Sequence, residues 1–287
     1  MSSALITSPV PKQDGAAEIR RAARRAILRA LGGSLLTFAL TIIAVLVIWQ
    51  GALWVFGVSA YVGKGPMDVV DFLFRDDGAA DNRRVLFRQL WTTLGHAVIG
   101  FIAGLIVALV VAMIFQLWKG VEHALMPLAM LLRSVPLVAM APVIIMIFQR
   151  SIWTIAVIGG IVVLFPALVN IVFGLRQSSK QMTDLIEVYG GTAWTSLRKV
   201  ALPNSLPSLL AAVRISVPGA ITGALLAEWL AVGGGIGGNV GAYQAQAQFT
   251  ALWTAVVLVT AAALVLYNTV AVIESVVLAR MGMADRA

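Results

Sequence analysis

The sequence predicts an all-α integral membrane protein with six transmembrane helices. Of its 287 residues, 60% are hydrophobic and 12% are charged, and the mean hydropathy is +0.93. Soluble domains carry about 25% charged residues, so composition alone favours a membrane protein. Charge is absent from four long runs, residues 30–63, 89–118, 151–175 and 229–273. Each run exceeds the ~20 residues that a helix needs to cross a bilayer.

Apolar segments define the six spans in order. They are predicted at residues 35–57, 93–117, 124–148, 152–175, 206–231 and 250–275. The third span is interrupted by Pro127, Pro136 and Pro142, and the fifth contains Pro218. Prolines in membrane helices free carbonyl groups that neighbouring helices or water must satisfy. They indicate either spans packed along a pathway or simple packing kinks. Residues 58–92 are predicted to hold a short surface helix that leads into the second span.

The distribution of basic residues predicts the orientation. The tails together with residues 118–123 and 176–204 carry thirteen Lys and Arg, and the opposite loops carry six. Because Lys and Arg gather on the cytoplasmic side, both termini are predicted to be cytoplasmic. Residues 1–34 are expected to form a basic tail with an amphipathic helix on anionic headgroups. No cleavable signal peptide is expected there. Residues 35–278 form the predicted membrane domain, and residues 279–287 a short cytoplasmic tail.

A segment of mixed composition, residues 176–204, separates the fourth and fifth spans. Its apolar residues form a helical stripe with spacings of four, four, four and three: Leu185, Tyr189, Ala193, Leu197 and Val200. Gly190 and Gly191 interrupt the stripe, and each glycine costs a helix about 1 kcal/mol relative to alanine. We therefore predict a helix, a bend at the glycines, and a second short helix through Lys199 that Pro203 closes. Tyr189, Trp194 and Leu197 are expected to point outward or against the membrane.

Three charged residues lie within or at the edges of spans: Arg133, Arg214 and Glu228. A charge near the bilayer centre costs at least ~2.5 kcal/mol, so such residues usually face the bundle or a cavity. Arg214 and Glu228 lie about 21 Å apart along one helix and only ~40° apart around it, hence on one face. That face has two interpretations. In the first it borders a pathway, with Arg214 toward an inner gate and Glu228 toward an outer mouth. In the second, the charged side chains snorkel to the membrane interfaces or pair with neighbouring helices. For Arg133, structural pairing is favoured.

Motifs for nucleotide binding and catalysis are not predicted. Residues 233–238 match G-x-G-x-x-G, but a dinucleotide site also needs a strand before it and an acid ~20 residues after it. We predict an external turn there, which either helps to close an outer gate or simply connects two spans. The chain has no P-loop and no cysteine. Neither His96 nor His123 is expected to have acidic and nucleophilic partners at a common depth, and the two lie in different segments, so no metal site and no enzyme are predicted.

The bent segment resembles the EAA loop of ABC-importer permeases. Asp184-Leu185-Ile186 precedes Gly190 by the loop's spacing, and Val200, Ala201 and Leu202-Pro203 follow in register. Asp-Leu-Ile replaces the usual Glu-Ala-Ala. The resemblance extends to Thr93-Leu94, Gly100-Phe101, Leu132 to Pro136, Ala141-Pro142, Asn170 with Gly174, and Ala227-Glu228 with Gly235-Ile236-Gly237. The branch it is most similar to serves nitrate, sulfonate, taurine and related small solutes.

The resemblance implies a type I importer permease in a bacterial inner membrane. Two permeases, identical or siblings, would form the pore, two ATPase subunits would hold ATP and Mg²⁺, and a binding protein would deliver a small anion or a pyrimidine-type thiamine precursor. This chain would bind no cofactor. The ATPase would contact Asp184, Glu187, Tyr189, Gly190, Gly191, Thr192, Trp194, Leu197, Leu202 and Pro203; the pathway would include Arg133, Pro136, Arg214, Pro218 and Glu228. The alternative is a self-sufficient secondary transporter or channel, in which Glu228 would couple ions.

Overall fold

The computed structural model describes residues 40–283, apart from the side chains of Leu132 and Arg133. The chain divides into two units between Pro66 and Met67. The described part of the first unit contains helix α1, Leu40–Val55, and the turns that follow it. The amphipathic helix predicted in residues 1–34, the first residues of the first span and residues 284–287 lie outside the described residues.

All regular secondary structure in the described residues of the second unit is helical. The helices are α2 (Pro66–Phe74), α3 (Ala79–Leu117), α4 (Lys119–Arg133), α5 (Leu137–Phe148), α6 (Ile152–Arg176), α7 (Lys180–Val188), α8 (Ala193–Ser196), α9 (Leu202–Asn204), α10 (Leu206–Ala227), α11 (Gly235–Ala245) and α12 (Phe249–Arg280). A π-helical stretch, Leu197–Ala201, joins α8 to α9, and a second one, Glu228–Val232, continues α10. The all-helical prediction is confirmed for the described chain.

Four of these helices are long and apolar enough to cross a membrane: α3, α6, α10 with its π-helical extension, and α12. They coincide with the second, fourth, fifth and sixth predicted spans. Helix α3 begins at Ala79, well before the predicted start of its span. Its 39 residues extend about 58 Å, so its charged first turns project beyond a hydrocarbon layer of about 30 Å.

The third predicted span forms two helices rather than one. Helix α4 ends at Arg133 and α5 begins at Leu137, with Pro136 in an extended conformation between them (φ −60°, ψ 112°). A proline disfavours the helical conformation of the residue before it, which explains why the break falls here. The predicted interruption at Pro136 is confirmed, whereas Pro127 and Pro142 lie inside their helices.

The predicted surface helix before the second span is also confirmed, as α2. Its last carbonyl groups are bound by side chains from the first turns of α3. Asn82 Nδ2 donates to the Phe72 carbonyl at 3.1 Å, and Arg83 donates to the Leu73 carbonyl. These bonds satisfy carbonyl groups that a helix end leaves without partners, and they fix α2 to α3.

Helix α6 lies at the centre of the second unit, between α3 and α10. Three glycines, one from each helix, meet there without side chains between the backbones. A Cβ placed on Gly100 of α3 would lie 2.8 Å from the Gly159 Cα of α6, and one on Gly223 of α10 would lie 2.7 Å from that same atom. Small residues allow membrane helices this close approach. The three helices therefore pack as a single block.

Two apolar clusters lie toward opposite ends of this block. One includes Phe115, Leu168 and Leu175 together with residues of the first π-helical stretch. The other joins α5, the first turns of α6 and the end of α10, around Ile158 and Ala227. Each end of α10 therefore rests on its own buried cluster.

Candidate functional site

The bent segment, Lys180 to Asn204, connects the end of α6 to the start of α10. Helix α7 ends at Val188, and the chain reverses through Tyr189 and Gly190, whose φ is +75°. The Gly190 N–H donates to the Glu187 carbonyl at 2.9 Å, and the Gly191 N–H to the Ile186 carbonyl at 2.8 Å. This is how a left-handed glycine closes a helix. The prediction of a helix, a bend at the glycines and a second helix is confirmed.

One face of the bent segment is apolar and exposed. Met182, Leu185 and Val188 lie at intervals of three residues on α7, and Tyr189, which follows α7, lies four residues after Leu185. The four side chains therefore share one side of the helix. Val188 is 82% and Tyr189 83% exposed, and α7 has no buried residue. Trp194, beyond the bend, is 54% exposed. Such an apolar patch is typical of a surface that contacts another protein or a membrane.

The second half of the bent segment is fixed in the core. Leu197 and Ala201 are each 1% exposed and pack with Phe115, Leu168 and Leu175. The expectation that Leu197 points outward is therefore wrong. Shared helical spacing placed it with Tyr189, but the bend at Gly190 turns the second helix so that its apolar side faces α3 and α6. The segment thus has an exposed half and an anchored half.

The remaining predicted residues of the segment divide between the two halves. Asp184, Glu187, Thr192 and Pro203 are exposed, whereas Leu202 is half-buried against the core. Thr192 caps α8, since its hydroxyl accepts the Thr195 N–H at 3.3 Å.

An ion pair fixes the helix that leads into the segment. Arg176, the last residue of α6, binds the Glu122 carboxylate in the first turn of α4. Glu122 is only 3% exposed, and Lys119 approaches it at 3.5 Å. The end of α6, from which the bent segment departs, is therefore fastened to the start of α4.

At the opposite end of α10, a carboxylate is buried among hydrogen-bond donors. Glu228 is 1% exposed; its Oε2 accepts the Thr93 hydroxyl at 2.9 Å and the Gly237 N–H at 2.9 Å, and its Oε1 lies 2.8 Å from His96 Nδ1. The Thr93 hydroxyl in turn accepts the Ile236 N–H at 2.8 Å. We call Thr93, His96, Glu228 and these two N–H groups the carboxylate cluster. It joins α3, α10 and α11.

A reverse turn brings the first residues of α11 onto Glu228. Gly233, Gly234 and Gly235 have φ of 71°, 69° and 55°, which residues with a Cβ rarely adopt. A Cβ on Gly235 would collide with the Glu228 carboxylate. The turn predicted at residues 233–238 is therefore confined to Gly233 and Gly234, and the other four residues begin an 11-residue helix whose Ile236 and Gly237 N–H groups are bound.

The family of the chain follows from its match to known proteins. Residues 100–281 match the family described as the binding-protein-dependent transport system inner membrane component. The chain belongs to this family. The prediction of an ABC-transporter permease is confirmed, and the matched residues include the bent segment and Glu228, whereas Thr93 and His96 precede them.

Three relatives show the range of this permease family. The chain is 25% identical over 162 residues to a formylaminopyrimidine transport permease protein, ThiX, of Halalkalibacterium halodurans (56% of this chain, 62% of that protein). It is 26% identical over 167 residues to a riboflavin transport system permease protein, RibX, of Chloroflexus aurantiacus (58% and 61%). It is 28% identical over 183 residues to a bicarbonate transport system permease protein, CmpB, of Synechococcus elongatus (62% and 65%). The alignments thus span less than two thirds of these relatives.

In this permease, Arg214 pairs with a neighbouring helix. Its Nη1 lies 3.1 Å from Glu274 Oε2 of α12, within ion-pair distance but outside hydrogen-bond geometry. The guanidinium also lies over the Tyr267 ring, 5.9 Å from its centre. Glu274 is 6% exposed. It lies sixty residues after Arg214 on another span, so local sequence patterns did not indicate it as a partner.

The expectation that His96 lacks an acidic partner is wrong. His96 and Glu228 lie in different spans, 132 residues apart, and the fold places them side by side. Among the described residues, no group of three or more His, Asp or Glu side chains lies close enough to hold a metal ion.

The other predicted pathway residues lie apart from these pairs. Pro136 separates α4 from α5, Pro218 lies inside α10, and the side chain of Arg133 is outside the described residues. A cavity of about 320 Å³ between α3, α10 and α12 is lined by apolar side chains, among them Phe101 and Val217. Its lining offers no partner to a charged solute and suits acyl chains or an apolar helix.

Proposed function

We propose that this chain is the membrane permease subunit of an ATP-driven importer and that the bent segment couples it to an ATPase. The observation that carries this proposal is the division of the bent segment into an exposed apolar half and an anchored half. A partner protein that binds Tyr189 and Trp194 would also displace Leu197 and Ala201 when it moves. Since these two residues are packed against α3 and α6, the displacement would reach the membrane helices.

The assembly that we propose follows from this role. Two copies of a separate ATPase hold ATP and Mg²⁺ beneath two permeases, which are either two copies of this chain or this chain and a sibling. A binding protein delivers the solute from outside. The subunit spans a bacterial inner membrane with both termini in the cytoplasm and lipid around it, which the excess of thirteen over six basic residues supports.

The solute is proposed to be small. The relatives are named for a formylaminopyrimidine, riboflavin and bicarbonate, so one architecture serves both heteroaromatic compounds and a small anion. The resemblance to the nitrate, sulfonate and taurine branch favours a small anion. We propose that the binding protein makes most of this selection.

The pathway residues take two roles in this proposal. Pro136 and Pro218 would shape the helices along the pathway, together with Arg133. Arg214 and Glu228 already have partners within the chain, so we propose that they hold the helices that line the pathway and do not ligate the solute. The alternative of an ion-coupled carrier is disfavoured for the same reason, because its candidate carboxylate, Glu228, is occupied by hydrogen bonds.

Copurification tests the proposed function. The tagged wild type would be extracted from its native membrane beside a Tyr189→Ala, Trp194→Ala variant, and copurifying proteins would be identified by mass spectrometry. The matched control is Trp153→Ala. Trp153 is 66% exposed and lies in the first turn of α6, at the end remote from the bent segment.

An ATPase subunit is expected with the wild type and with Trp153→Ala, and at about one tenth of that amount or less with the double variant. A tenfold loss corresponds to about 1.4 kcal/mol of binding free energy. Two aromatic side chains at an interface can contribute this much. Equal ATPase recovery from all three proteins would show that the bent segment is not the coupling surface. A chain that purifies alone would refute the importer assignment.

A further inference from the structure

Helix α3 presents a row of polar side chains to α11. Gln89, Thr93 and His96 lie four and three residues apart, so they share one face of α3 within two turns. Thr93 and His96 belong to the carboxylate cluster, and Gln89 accepts a hydrogen bond from the Tyr243 hydroxyl at 2.7 Å.

These contacts fasten α11 at both of its ends. At the first turn, the Ile236 and Gly237 N–H groups are bound by Thr93 and Glu228. At the last turn, Tyr243 is 7% exposed and bonded to Gln89. Two attachments on one face of α3 fix both the position and the direction of α11, which a single attachment would not do.

Detaching α11 would break two buried hydrogen bonds at once and would leave the Ile236 and Gly237 N–H groups without these partners. Glu228 would lose the Gly237 N–H, and Thr93 would lose the Ile236 N–H, in a region from which water is largely excluded. A buried polar group without a partner is costly, and a charged one more so. The arrangement therefore favours a rigid attachment of α11 over a hinged one.

We propose that α11 stays fastened to α3 throughout the transport cycle, as a fixed rim on the side of the membrane opposite the bent segment, and that Thr93 and Glu228 are its positioning residues. The proposal rests on the proposed function, since it concerns the cycle of an ATP-driven permease. It assigns the movement of that cycle to contacts other than the one between α11 and α3.

A tether between the two helices tests the proposal directly. The chain has no cysteine, so Gln89→Cys and Tyr243→Cys introduce the only thiols. A short bifunctional methanethiosulfonate reagent would link them through reducible disulfides. The readout is phosphate release from ATP by the copurified complex of permease, ATPase and binding protein in lipid nanodiscs.

We expect the unlinked double variant to hydrolyse ATP more slowly than the wild type, because it lacks the Tyr243–Gln89 hydrogen bond. Linking the two thiols should leave the rate of the double variant unchanged or raise it toward that of the wild type. A lower rate after linking, recovered on reduction, would show that α11 must move and would overturn the proposal. Failure of the reagent to link the two thiols would also overturn it, since the helices would then not be adjacent.

A hydroxyl substitution tests the positioning role. Thr93→Val removes both hydrogen bonds of the Thr93 side chain to other elements. Thr92→Val is the matched control, because the Thr92 hydroxyl bonds only the Arg88 carbonyl of its own helix. We expect ATP hydrolysis to fall about fivefold or more in Thr93→Val. It should be restored by Thr93→Ser and nearly unchanged in Thr92→Val.

Equal rates in the two valine variants would contradict the positioning role. Failure of the proposed function gives a different result: the wild-type complex would then hydrolyse no ATP. The linking yield in the purified chain would still report whether α11 lies against α3.

Discussion

The contact of three glycines at the centre of the helix block can be tested by adding one methyl group. In Gly100→Ala the new Cβ would lie 2.8 Å from the Gly159 Cα, whereas ordinary van der Waals contact begins at 3.4 Å. Helices α3 and α6 must therefore separate by about 0.6 Å, and neither glycine has a side chain that could turn aside. Overpacking of this kind costs about 1–3 kcal/mol.

Gly95→Ala provides the matched control on the same helix. Nothing lies within 4 Å of a Cβ at Gly95, so the substitution adds no contact. It should stabilise α3 by up to about 1 kcal/mol, the difference in helix propensity between glycine and alanine. The two variants have the same composition and differ only in where the methyl group lies.

Thermal unfolding of the detergent-purified protein, followed by tryptophan fluorescence, would measure the difference. A destabilisation of about 2 kcal/mol lowers the midpoint by about 4–8 °C in a chain of this size. We therefore expect Gly100→Ala to unfold several degrees below the wild type and Gly95→Ala at or slightly above it. A midpoint for Gly100→Ala equal to that of Gly95→Ala would refute the backbone contact of α3 with α6.

Three further substitutions probe the bent segment, the cluster beneath it and the ion pair of α10. Gly190→Ala should destabilise the bend by about 1 kcal/mol because its φ is +75°, and Gly190→Asn should cost less, since asparagine tolerates this conformation; ATPase copurification measures both. Phe115→Ala should lower stability by about 3–5 kcal/mol, seen as an unfolding midpoint far below that of the wild type, because Phe115 is 2% exposed within its cluster. Removing Arg214 and Glu274 together should cost less than the sum of the single removals by about 1 kcal/mol, and additive effects in a double-mutant cycle would exclude the ion pair.

Local sequence patterns predicted the helices well. Uncharged runs located the long helices because burial in lipid requires continuous apolar sequence, and glycine and proline chemistry located the bend at Gly190 and the break at Pro136. The start of α3 was placed too late because the prediction followed hydropathy. A helix continues through charged residues such as Arg83 and Arg84 wherever its turns leave the hydrocarbon.

Partners across the fold were not predictable from these patterns. The burial cost of an ionised side chain indicated that Glu228 pairs with something, but not that the partners are Thr93 and His96 on a span more than 130 residues earlier. Helical spacing grouped Leu197 with Tyr189, although one residue is buried and the other exposed. A periodic stripe shows which residues share a face, and only the tertiary fold determines what covers that face.

Helix α10 connects the bent segment, at its first residues, to the carboxylate cluster, at its last. At its first turns it is in close contact with α6, since a Cβ on Gly174 would collide with Ser208, and the anchored half of the bent segment packs on the same cluster. At its far end, α10 continues into Glu228, whose carboxylate binds the first turn of α11. Between these ends Gly223 touches Gly159 backbone to backbone, so α10 has little freedom to slide along α6. A force applied at the bent segment would therefore turn α10, α6 and α3 together, and α11 would move with them as part of the same body.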